Sequence, residues 1–83
     1  MARILVVDDE RLFRTIVSQM LIDENYVVEE AGDGQEAIAL HRANPFDLIV
    51  TDLLMPGKEG IETILELQRQ EPDLKIIAMS SGA

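Results

Sequence analysis

No cysteine occurs in this 83-residue chain, so disulfides and thiolate metal sites are excluded, which fits a reducing cytoplasm. Long apolar runs are missing too. The longest are far too short to cross a bilayer, and the start, MARILVVDDE, places one Arg and a short apolar run ahead of acids, unlike a signal peptide. Basic side chains are scarce: 7 Lys and Arg stand against 16 Asp and Glu, a formal net charge of −9. That balance repels phosphate backbones and anionic lipid, so direct binding to nucleic acid or membrane is not expected. A cationic ligand or a basic partner surface is favoured. What the chain does have is 47% hydrophobic and 28% charged residues, the composition of one soluble globular domain. A chain of this size hides only roughly 60–65% of its unfolded surface, so the core is modest.

Hydrophobic period divides the chain into alternating short and longer segments. Residues 4–7 are a continuous apolar run, as in a parallel strand covered on both faces, and residues 48–50 and 76–79 read the same way. Residues 26–28 are a weaker fourth. Between the first two, Leu12, Phe13, Ile16, Val17, Met20 and Leu21 form one apolar stripe on a helix, with Asp9 placed to cap it. Asp33 starts a second helix, and Glu36, three residues on, completes a box-like cap. That helix ends before Asn44-Pro45. A third carries Ile61, Ile64, Leu65 and Gln68 on one face and stops ahead of Pro72. The order is βαβαβαβ, which predicts a parallel sheet with right-handed crossovers and a ligand site outside the carboxyl ends of its strands.

Those ends are acidic. The first strand runs into Asp8 and Asp9 and the third into Asp52, so if the two strands are neighbours three carboxylates converge. Carboxylate oxygens suit a hard divalent cation such as Mg²⁺, and without one such a cluster repels itself and holds protons. Taken singly, each Asp reads as a helix cap more often than as a ligand, and it is the acids at both strand ends together that favour a cation site. His41, late on the second helix, reads as solvated and has no catalytic role.

The stretch TDLLMPGKEG at residues 51–60, together with VVDDE, AGDGQEA and IIAMSS, closely resembles the receiver domain of two-component response regulators. The resemblance covers the whole chain and implies a flavodoxin-like, three-layer, doubly wound parallel sheet, here of strand order 2-1-3-4. It implies that Asp52 accepts a phosphoryl group from the phosphohistidine of a sensor histidine kinase or phosphotransfer protein, or from a small donor such as acetyl phosphate. Asp9 would bind Mg²⁺ directly, Asp8 mainly through water, and Leu54 through its backbone carbonyl. Ser80 matches the hydroxyl that senses the new phosphoryl group. Met55-Pro56 and residues 57–60 shape the loop over the site, or are ordinary turn residues. The protein would be a cytoplasmic signalling module, an enzyme only to the extent of Mg-dependent autophosphorylation of Asp52.

The chain departs from that family at its end, where receivers continue for some forty residues through a helix, a strand and a helix. The lysine that normally pairs with the phosphoryl oxygens sits on that fifth strand. Of the two lysines present, Lys75 opens the fourth strand, roughly 15 Å from its carboxyl end at about 3.3 Å per residue. Lys58, in the loop after Asp52, is on the correct side and is a candidate substitute, though a solvated loop lysine is the simpler reading. Two expectations follow. One is a receiver truncated after residue 83, with impaired phosphorylation; the other is a dimerisation or interaction module with a vestigial acidic site. In either case the first helix and the third and fourth strands are expected to be left uncovered, and a homodimer is expected to bury them.

Overall fold

Four apolar residues in succession, Ile4, Leu5, Val6 and Val7, are all buried, because the strand that carries them is flanked by strands on both sides and by helices on both faces. The structure is a computed structural model that describes residues 1–52 and 59–79. The elements are β1 (Arg3–Val7), α1 (Arg11–Asp23), β2 (Val27–Ala31), α2 (Gly34–Ala43), β3 (Leu48–Asp52), α3 (Glu59–Gln70) and β4 (Lys75–Met79). All strand pairs are parallel and their order is β2-β1-β3-β4, so the order reverses between β1 and β3 as expected for a doubly wound sheet.

Strand alternation splits the core. Leu5, Val7, Ile49, Ala31, Ala37, Phe46 and Leu67 form the cluster under α2 and α3, while Ile4, Val6 and Val50 face α1, with Val17 and Leu21 packed on them. Asp33 caps α2 as predicted: its carboxylate accepts from the Glu36 N–H at 2.8 Å. Glu36 in turn accepts from the Gly32 N–H at 2.7 Å, one residue further back than in a standard capping box.

Several local expectations are corrected. The second strand starts at Val27 and runs through Glu29 and Glu30, which the apolar pattern did not include. An edge strand tolerates such charges, and here each is paired, Glu29 with Arg3 at 3.0 Å and Glu30 with Arg14 at 2.9 Å. Asp9 does not cap α1. The N-cap is Glu10, without a side-chain cap bond, and its N–H donates to Asp8 Oδ1 at 2.9 Å.

The single stripe read on α1 is two. Phe13, Val17 and Leu21 are half-buried, Ser18 is buried, and Leu12, Ile16 and Met20 stay exposed, because α1 lies over β1 and β2 and no described element covers its other flank. On α3 the buried residue is Leu67, three beyond Ile64, whereas Leu65 and Gln68 are exposed; the side chains of Ile61 and Ile64 lie outside the described residues.

His41 is not solvated but 1% exposed. The last turn of α2 meets the end of α3 there: Nε2 lies 2.6 Å from Glu71 Oε2, and Nδ1 accepts from the Phe46 N–H at 3.1 Å. That acceptor role assigns the proton to Nε2. Among the described residues, no helix is long and apolar enough to cross a membrane.

Candidate metal centre

The register of the central strands builds the site. β1 and β3 pair Val7 with Thr51, so the next residue on each, Asp8 and Asp52, emerges at the same level. Asp9 follows in the turn towards α1. One carboxylate oxygen each from Asp8, Asp9 and Asp52 lies within 4.8 Å of the other two, with Asp8 and Asp52 buried and Asp9 exposed. On the other side of β3, Asp52 pairs with Met79, which brings the end of β4 to the same rim. The convergence predicted from the strand ends is therefore present.

Asp8 sits deepest. Burial pushes its carboxyl above the usual carboxylate range, the hydrogen bond from the Glu10 N–H opposes this, and the negative charges of Asp52 and Asp9 raise it further. Its Oδ1 is held by Glu10, while Oδ2 is buried with no hydrogen-bond partner among the described residues. Crowded carboxylates with one orphaned buried oxygen and no thiolate or imidazole among them form an all-oxygen donor set. Such a set fits a hard divalent cation, Mg²⁺ or Ca²⁺ by chemistry, better than a softer metal.

Leu54, Lys58 and Ser80, singled out from the sequence, lie outside the described residues. One residue that sequence reasoning missed is Arg14, whose Nη1 donates to the Asp8 backbone carbonyl at 2.8 Å. A backbone acceptor leaves no trace in a side-chain pattern, so nothing in the sequence pointed to it. A cleft of about 460 Å³ opens elsewhere, at the amino end of the sheet between Ile4, Leu21, Leu48 and Lys75. It is remote from the carboxylates.

Residues 4–83 match the response regulator receiver domain family. Among curated relatives, the transcriptional regulatory protein ResD of Bacillus subtilis is 40% identical over 80 residues, which is 96% of this chain and 33% of ResD. The chain spans 33–40% of the length of the first curated relatives it matches. Among solved structures, the response regulator TrrA of Thermotoga maritima in complex with Mg²⁺–BeF superposes with a TM-score of 0.93 at 36% identity, over 100% of this chain and 72% of that one. TrrA in complex with the histidine kinase ThkA superposes with a TM-score of 0.90 at 36% identity, again over 100% and 72%. The strand order, the acidic rim and the motif resemblance thus converge, and the chain belongs to the response regulator receiver domains.

Proposed function

We propose that Asp52 is a phosphoacceptor and that Asp8, Asp9 and Asp52, with the Leu54 carbonyl, hold Mg²⁺ for the transfer. The observation that carries this is the meeting of three carboxylates within 4.8 Å at the carboxyl ends of β1 and β3. Support comes from TrrA, which is similar over the whole chain and binds Mg²⁺–BeF. In the transfer, a carboxylate oxygen of Asp52 forms a bond to phosphorus while the bond from phosphorus to the donor breaks. The donor, an imidazole of a histidine kinase or phosphotransfer protein or the carboxylate of acetyl phosphate, leaves with the electron pair. Bound Mg²⁺ supplies positive charge that offsets the crowded oxygens. Asp8 and Asp9 hold that charge beside the acceptor, β1 and β3 keep Asp52 at the rim, and Ser80 is the hydroxyl that senses the product.

A kinase is the partner this reading calls for, and TrrA has been solved with one. The net charge of −9 favours such a partner over nucleic acid or membrane. For the 83-residue chain by itself the reading includes a homodimer, which would cover Leu12, Ile16 and Met20 of α1 and Ile77 of the edge strand β4; β3, expected to be uncovered as well, is instead buried from Ile49 to Asp52.

Mass spectrometry after incubation with acetyl phosphate and Mg²⁺ tests the proposal. The expected result is one phosphoryl adduct on Asp52, absent in Asp52→Asn and absent when Mg²⁺ is chelated. With Lys58 and Lys75 as its only lysines, the 83-residue chain is expected to react slowly, and Lys58→Ala to slow it further. An equal adduct on Asp52→Asn would refute the assignment.

A further inference from the structure

Asp8 is held at every polar atom but one. Its N–H donates to the Ala31 carbonyl at 3.1 Å, its own carbonyl accepts from Arg14 Nη1 at 2.8 Å, and its Oδ1 accepts from the Glu10 N–H at 2.9 Å. Only Oδ2, buried and with no hydrogen-bond partner among the described residues, is left over. Of the three anchors, two are main-chain groups. The third is the Arg14 side chain, which is itself tethered: its Nε donates to Glu30 Oε1 at 2.9 Å, and the side chain is 18% exposed.

We propose that Arg14 is a positioning residue for the cation site, a strut from α1 that ties the Asp8 carbonyl to Glu30 and so keeps Asp8 Oδ2 turned away from main-chain partners and available to a cation. The proposal rests on the reading of Asp8, Asp9 and Asp52 as that site. Arg14 touches neither the acceptor nor the cation. It acts on the backbone from which the Asp8 carboxylate hangs, just where β1 gives way to the turn into α1. Without it, the carbonyl loses its only side-chain anchor among the described residues, residues 8–10 gain freedom to rotate, and the entropy of ordering Asp8 falls on cation binding. The geometry explains why the residue is Arg. Two acceptors, on the ends of β1 and β2, are met by two N–H groups of one rigid fork, which a lysine ammonium cannot reproduce with the same preorganisation.

Charge alone predicts the opposite. Arg14 is a cation beside three acids, so its removal would strengthen cation binding if Coulomb attraction were all that mattered. Arg14 is already paired with Glu30 at 2.9 Å, which offsets part of its charge, so the positioning effect is expected to outweigh the Coulomb one. The sign of the effect therefore separates the two accounts.

The test is a calorimetric Mg²⁺ titration at fixed ionic strength, with amide hydrogen exchange of the Mg²⁺-free protein as a second readout. Arg14→Ala is expected to bind Mg²⁺ about tenfold more weakly, the lower end of what loss of an outer-sphere partner costs. Arg14→Lys, which keeps the charge without the fork, is expected to recover only part of the affinity. In both variants the Glu10 amide, donor to Asp8 Oδ1, is expected to exchange faster while the amides of β3 keep their rates. Should Arg14→Ala fail to fold, Arg14→Lys carries both measurements. Wild-type affinity in the variants, tighter binding, or weaker binding with an unchanged Glu10 amide overturns the inference. Asp9→Asn separates the two levels: if it binds Mg²⁺ as well as the wild type, the cation-site reading itself fails, whatever Arg14 does.

Discussion

Asp8 and Asp52 stand side by side at the ends of β1 and β3, one residue beyond the Val7–Thr51 register pair, and both are almost fully buried, at 1% and 3% exposure. Two acids in that position are a cost to the fold unless a cation offsets them.

The first consequence is linkage between Mg²⁺ and stability. A ligand bound only by the folded chain stabilises it by about 1.4 kcal/mol at ten times its dissociation constant. Titrating Mg²⁺ should raise the thermal midpoint of the wild-type chain, and the rise should vanish in Asp9→Asn. Equal responses from the two proteins would mean that the carboxylate cluster is not where the ion binds.

The pH dependence of the Mg²⁺-free protein follows from Asp8. Its carboxyl in the folded chain lies above the usual 3.8, chiefly through burial, so the folded state holds that proton more tightly than the unfolded state. As pH rises from 3.8 through the folded value, stability is lost, and above it the whole penalty remains. Asp8→Asn keeps an acceptor for the Glu10 N–H and removes the charge. It should therefore melt a few degrees higher than the wild type at pH 7, with the difference shrinking as the pH falls towards 3.8. A variant that melts lower at pH 7 would contradict this.

His41 offers a test of the fold away from the acids. It is buried, its ring stacks on Phe46 with centroids 6.1 Å apart, and it accepts from the Phe46 N–H. His41→Ala leaves a cavity and an unpaired buried donor, and should cost about 2–4 kcal/mol in urea unfolding. Glu71→Gln should cost less than about 1 kcal/mol, because the Glu71 side chain is 46% exposed and water screens the pair. A similar loss from both variants would show that the His41–Glu71 hydrogen bond, rather than the packing, holds this corner.

Assembly of the 83-residue chain is open to sedimentation equilibrium at micromolar concentration. Val50 and Ile77 are register partners on the α1 side of the sheet, yet Val50 is 7% exposed and Ile77 51%, because α1 lies over β1 and β2 and not over β4. The expected species has twice the mass of the 9.3 kDa chain, and Ile77→Lys should shift it towards monomer. A clean 9.3 kDa species with unfolding independent of protein concentration would sink the homodimer.

How much of this was legible beforehand depended on whether the signal was local. The apolar runs of β1, β3 and β4 and the Asp33–Glu36 cap on α2 were readable because strand burial and helix capping depend on near neighbours in the chain. The acids at two strand ends were likewise visible, and the parallel βαβ pattern placed both ends on one rim. The run of β2 through Glu29 and Glu30 was hidden, because those charges are neutralised by Arg3 and Arg14 from elsewhere in the chain. Burial of His41 was hidden for a similar reason, since its partner Glu71 is 30 residues away. Periodicity found the apolar side of α1 but could not say which half of it meets the sheet; only the seating of the helix over β1 and β2 decided that. Which elements form, and which chemistry their ends carry, follows from side-chain type and period and was open to a reading of the chain. Tertiary structure alone decided that Asp8 and Asp52 are buried neighbours and that Arg14 grips the Asp8 main chain, because register and backbone acceptors exist only once the strands have paired.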